Sequence, residues 1–158
     1  MNPFRHINKL DEAILKPGAI EAAVESFVKD SHTEETHADP VGLYNQTIEV
    51  IAHATIFQHD DTRQFWIADE DGDVKAYALC HISKDVDNQL CFWITQAYVH
   101  PSCRRTPQVK QWMEQLRAEA KRLLCKHIVM PSSRSTKAYI RFLGHETHQY
   151  CVLLKQDI

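Results

Sequence analysis

The chemistry of this chain concentrates between Gln89 and Val109, QLCFWITQAYVHPSCRRTPQV. An apolar run rich in strand formers, Leu90 to Val99, stops at His100-Pro101. A short basic loop follows, Ser102 to Arg105, and Thr106-Pro107 then opens a long amphipathic segment. A strand, a basic turn and a helix N-terminus in succession form a physical recipe for holding an anion. The first N–H groups of a helix lack partners, and the helix dipole places partial positive charge at the same end. Arg104 and Arg105 add charged donors of the kind that pair with phosphate. Cys103 lies in the same loop, where a thiol of lowered pKa is one reading and an inert buried thiol the other.

Candidates for proton transfer are fewer. His81, in an extended stretch, and His100, at the loop entrance, are the two histidines near the anion loop in pattern. A lone histidine in a strand is more often a structural donor. The other histidines, His145 and His148 among them, have no Cys, Asp or Glu at a recognised metal spacing, so no metal is expected. The chain has no nucleophile elbow, P-loop or paired-carboxylate site.

Charge is divided unevenly. Residues 1–100 carry 7 Lys/Arg against 17 Asp/Glu, whereas residues 101–141 carry 10 against 2. The basic segment begins at the anion loop, which suits an anionic ligand. A solvated helix face accounts equally well for the helix charges. Nucleic acid is the weaker expectation, because the net charge is −3 and the basic segment lacks interleaved aromatic platforms. Five cysteines without a C-x-x-C spacing argue for reduced thiols rather than a disulfide framework, and with no signal-peptide core or membrane span the expected location is cytoplasmic.

Elements able to position the loop can be read in order. Phe4 to Ile7 is a short strand, and Lys16-Pro17-Gly18 breaks the chain. Ala19 to Lys29 reads as a helix with Ile20, Val24, Phe27 and Val28 on one face. Asp39-Pro40 caps and starts a second helix, whose inner stripe is Tyr44, Ile48, Ile51 and Thr55. From Gln64 the period becomes extended: QFWIAD, a turn at Asp71-Gly72, VKAYALCHI, a polar turn, then the strand to Val99. Thr106 to Lys126 is a long helix with Val109, Trp112, Met113, Leu116, Ala120, Leu123 and Leu124 on its apolar face. His127 to Met130 is a strand in the position of a parallel crossover. A last helix through about Leu143, ended by Gly144, and a final strand, His148 to Lys155, close the chain. This order is an α/β, mixed-sheet pattern in one domain over residues 1–158.

Gln96-Ala97-Tyr98-Val99-His100-Pro101 and the following Arg104 to Val109 resemble the GNAT N-acetyltransferase superfamily. There a strand ending in a Y-V-H-P-like segment leads into R/Q-x-x-G-x-G/A, which wraps the pyrophosphate of acetyl-CoA. The resemblance implies a GNAT-like fold, with acetyl transfer from acetyl-CoA to an amine. It places Tyr98, Val99, Arg104, Arg105, Thr106, Gln108, Val109 and Ser135 at the cofactor. Gln96 stands where the family often has a Glu base, and Tyr139, five residues before Gly144, stands near the family's general-acid tyrosine. The arginine of the R/Q-x-x-G-x-G/A pattern fits at Arg104, but neither glycine of that pattern is present through Val109. The alternative is a GNAT-fold protein without catalysis, a binding or assembly module with a protein partner. It would be similar to some encoded in phage genomes and virion-associated.

Overall fold

The computed structural model describes residues 5–7, 15–31, 39–57 and 59–130. The expected last helix and final strand lie outside them, as do Ser135, Tyr139, Gly144, His145 and His148. The elements run β1 (Arg5–Ile7), α1 (Ala19–Ser31), α2 (Pro40–Ile56), β2 (Thr62–Ala68), β3 (Val74–Lys84), β4 (Leu90–Val99), α3 (Pro107–Arg122) and β5 (His127–Val129). They follow the expected order throughout. The strands form one mixed sheet in the order β1-β2-β3-β4-β5, antiparallel up to β4 and parallel between β4 and β5.

Local chemistry explains the boundaries. Asp39 caps α2 by accepting from the Val41 N–H, with Pro40 at the first helical position. The two hairpins of the meander are built alike. Asp69 Oδ1 accepts from the N–H groups of Asp71 and Asp73, and Asp85 Oδ1 accepts from those of Asp87 and Gln89. Each carboxylate stands in for a backbone acceptor and closes the turn. Gly72 supplies the left-handed residue in the first turn (φ 81°) and Asn88 in the second (φ 61°). The hydrogen bonds from Gln89, Cys91 and Asp87, set against burial, hold the Asp85 carboxyl below its usual range.

Helix α3 ends earlier than its apolar pattern implies. The Leu124 N–H donates to Lys121 O and the Cys125 N–H to Ala120 O, while Leu124 turns left-handed at φ 59°. That paired closure stops the helix at Arg122. Leu124 is consequently 79% exposed and leaves the apolar face assigned to it by spacing.

Packing divides into two layers. On one face α3 lays Val109, Trp112, Met113, Leu116 and Ala120 against Phe65, Ile67, Ala76, Ala78, Cys80, Phe92 and Ile94. On the other, α1 and α2 cover Trp66, Tyr77, Leu79 and Tyr98 with Ala23, Val24, Val28 and Ile51. Period 2 within each strand feeds both layers. One polar tie joins α3 to the sheet: Arg63 Nε donates to Glu119 Oε1 at 2.8 Å, and Arg122 donates to both Glu119 oxygens at 2.7 Å.

Two outcomes follow. Leu116→Ala empties the centre of the α3 layer and lowers the unfolding free energy by about 2–5 kcal/mol, read from a denaturant melt. Arg122, aided by Arg63 and opposed by burial, lowers the Glu119 pKa to about 2 from 4.5. A depressed carboxylate stabilises the fold above its unfolded pKa. That contribution is lost as pH falls from 4.5 through about 2. Glu119→Gln therefore removes about 1.5–3 kcal/mol at neutral pH and flattens this part of the acid-stability curve.

Candidate functional site

The parallel pairing of β4 with β5 is short. Cys91, Phe92 and Trp93 face His127, Ile128 and Val129, and no further pair exists among the described residues. β4 continues for six residues, Ile94 to Val99, with no strand on that side among the described residues. A strand edge without a partner offers backbone donors and acceptors to an extended ligand. The two strands are parallel neighbours as expected, and their expected parting falls where the described residues end, at Met130.

A β-bulge sits at the same point. Leu79 of β3 pairs with Gln96 but Cys80 pairs with Ile94, which leaves Thr95 as the extra residue. The bulge resets which side chains face which layer. Phe92 and Ile94 pack under α3, as do Ala97 and Val99 beyond the bulge. Gln96 and Tyr98 turn to the α1/α2 face instead. Thr95 Oγ1 donates back to Leu79 O at 2.9 Å and holds the bulge closed.

Gln96 is half-buried and its Nε2 donates to Thr47 Oγ1 of α2 at 3.0 Å. Thr47 is buried and donates in turn to Leu43 O. The carboxamide is thereby fixed in orientation. Tyr98 is buried beneath α1, with its ring 5.8 Å from that of Tyr77. Burial raises the pKa of its hydroxyl, with Asp30 adding to the shift and Ser26 and Arg104 opposing it. Only the backbone of Tyr98 is therefore placed to meet a ligand at the edge.

At the end of β4, His100 Nδ1 accepts from the Ser102 N–H at 3.2 Å and lies 2.7 Å from Ser102 Oγ. The imidazole is thus the cap of a single turn, Pro101–Cys103, rather than a free base. Cys103 is buried in the α3 layer, so the loop thiol is a packing residue. Cys80, Cys91 and Cys125 are also free thiols. Arg104 does not reach outward unengaged. Its Nε donates to Val99 O at 3.1 Å and its Nη2 pairs with Asp30 at the end of α1. Arg105 is exposed and left-handed, at φ 70°. The backbone geometry there is one that a glycine adopts at no steric cost.

Thr106 precedes α3 but does not cap it. Its hydroxyl donates to Cys103 O at 2.7 Å, and no side chain caps the helix. Pro107 carries no N–H. The N–H groups of Gln108 and Val109 are left at the positive end of α3 without a side-chain acceptor. The anion recipe read from sequence is present, with Arg105 and these two N–H groups as its available donors.

Three partners escaped the sequence. Asp30 lies 74 residues from Arg104, and Thr47 lies 49 from Gln96. Nothing local signals either contact. Trp93 stacks on His81 at 5.9 Å and 7° between planes, a pair that only strand register brings together. Among the described residues, no group of three or more His, Cys, Asp or Glu is placed to hold a metal, and no helix is long and apolar enough to cross a membrane.

The model of the acetyltransferase (GNAT) family matches residues 22–145, a span that includes the parted strands, the bulge and the loop. The chain belongs to the GNAT acetyltransferase family. Solved structures share its fold. A Pyrococcus furiosus protein described as an acetyl transferase superposes with a TM-score of 0.70 at 13% identity, covering 98% of this chain and 99% of the other. Glucosamine-6-phosphate N-acetyltransferase from Arabidopsis thaliana gives 0.60 at 17% identity, covering 98% and 99%. The aminoglycoside N-acetyltransferase AAC(6')-Iy in complex with CoA gives 0.56 at 14%, covering 98% and 94%. No curated protein matches the chain by sequence. In this GNAT chain the loop and helix start, Arg104 to Val109, carry neither glycine of the family signature. Arg105→Gly relieves a left-handed side chain and stabilises the protein by about 1 kcal/mol in a thermal melt.

Proposed function

We propose that the chain, as one domain over residues 1–158, is an acetyl-CoA-dependent N-acetyltransferase that acylates an amine. The observation that carries this reading is the coincidence of three features at one place. Among the described residues β4 has no partner on that side beyond Trp93, a bulge turns Gln96 to the α1/α2 face, and the uncapped start of α3 lies at the far end of the same edge. An extended thioester ligand spans that edge, with its phosphates at the loop and its acyl group at the bulge.

In this reading the residues divide the work. Arg105 and the N–H groups of Gln108 and Val109 take the phosphates. Arg104 ties the loop to Val99 O and Asp30, and so positions it. The β4 edge at Tyr98 and Val99 pairs with the ligand through backbone groups, and Thr106 fixes the loop by its bond to Cys103 O. Gln96 cannot accept a proton usefully, but its held carboxamide can orient the acceptor amine. The family resemblance assigns Ser135 to the cofactor and Tyr139 to protonation of the leaving thiolate.

A non-catalytic binding module is favoured by different observations: a proline in place of an N–H donor, and an amide in place of the carboxylate base. Calorimetric titration with CoA at low and high salt separates the two. The acetyltransferase reading predicts binding that weakens with salt, because one exposed arginine supplies much of the phosphate contact. Arg105→Ala weakens it further, by about tenfold or more. Absence of binding at millimolar CoA in low salt overturns this reading in favour of the module.

A further inference from the structure

The α1/α2 face of the sheet is laid out in rows set by strand register. Trp66, Tyr77 and Tyr98 form one row, and Gln64, Leu79 and Gln96 the next. The row after that is Thr62, His81 and Trp93. The first row is buried under α1 and α2, whereas every member of the third is only half-buried. The third row also lies where the sheet opens. Among the described residues Trp93 is the last of β4 paired to β5, and the bulge at Thr95 is two residues further on.

His81 occupies the centre of this row. Its ring lies flat against Trp93, and its nitrogens make no hydrogen bond to any described residue. Trp93 is itself held, its Nε1 donating to Ser83 O at 3.4 Å. The stacking fixes the imidazole plane without consuming its polar atoms. A structural histidine spends a nitrogen on a backbone or side-chain partner, as His100 does with Ser102 and His127 does with Gln89. His81 does not.

We propose that His81 is the proton acceptor for the acceptor amine, a role that Gln96 cannot fill. The proposal rests on the acetyltransferase reading. The amine arrives as an ammonium on the α1/α2 face and gives one proton to a free imidazole nitrogen of His81. The amine lone pair then attacks the thioester carbonyl. A C–N bond forms, the C–S bond breaks, and the second amine proton goes to the sulfur of the leaving CoA. The products are an amide, CoA thiol and a protonated His81, which returns its proton to solvent. Imidazole suits this step because it exchanges protons near neutral pH.

The test follows release of free thiol from acetyl-CoA with three probe acceptors, an alkylamine, an aminosugar and a peptide amino terminus. Hydrolysis of acetyl-CoA is measured alongside, with water as the acceptor. His81→Ala is expected to lower turnover about 100-fold or more, with affinity for acetyl-CoA unchanged by calorimetry and activity partly restored by added imidazole. A His81→Ala protein of undiminished turnover overturns the proposal. So does a loss that imidazole does not repair while acetyl-CoA still binds. Wild-type protein that binds acetyl-CoA but releases no thiol above the uncatalysed rate also overturns it and leaves the cofactor site standing. Failure of the wild type to bind acetyl-CoA sinks the acetyltransferase reading itself.

Discussion

The structure turns on how short the hydrogen bonding between β4 and β5 is. Among the described residues three pairs join these parallel strands, and β4 then runs on for six residues with no strand beside it. A full-length pairing would bury that edge and leave a closed sheet with nowhere to place an extended ligand. A wholly unpaired edge would invite association with another chain. The fold avoids both by anchoring the start of β4 and ending its far end in a loop whose shape is held by His100, Arg104 and Thr106. The α3 layer makes this possible, because Trp112 and Leu116 pack across the sheet and hold the crossover in register.

The bulge at Thr95 adds the chemical consequence. One extra residue changes which layer Gln96 and Tyr98 face without disturbing the apolar alternation beneath α3. Gln96 then meets Thr47, and the edge of β4 lies between a polar face and a basic loop. The loop itself shows a compromise. Arg105 holds a backbone conformation that a glycine adopts at no steric cost, and Pro107 gives up an N–H at a helix start where N–H groups bind anions.

Much of the fold was legible because it depends on period and punctuation. The change from helical to alternating pattern at Gln64, the Asp71-Gly72 turn and the Asp39-Pro40 cap each act over a few residues. The parallel crossover to β5 is legible because a strand pattern follows α3 directly. The end of α3 was misplaced because Leu123 and Leu124 continue the apolar spacing while the backbone has already turned left-handed. Site details were less accessible. Arg104 reads as a free phosphate ligand until Asp30 is found beside it, and a bulge has no signature in one strand alone because it is a property of the pair. His81 was visible as a residue, but its half-buried row and its stacking on Trp93 exist only once register is fixed.

The central claim is that the free edge of β4 and the start of α3 form one acetyl-CoA site. Backbone hydrogen–deuterium exchange, with and without saturating acetyl-CoA, tests it most directly. The account predicts new protection confined to Ile94–Val99 and the segment from Arg104 through Val109, with the Asp69–Asp73 hairpin unchanged. Protection that appears elsewhere and spares both segments would contradict it.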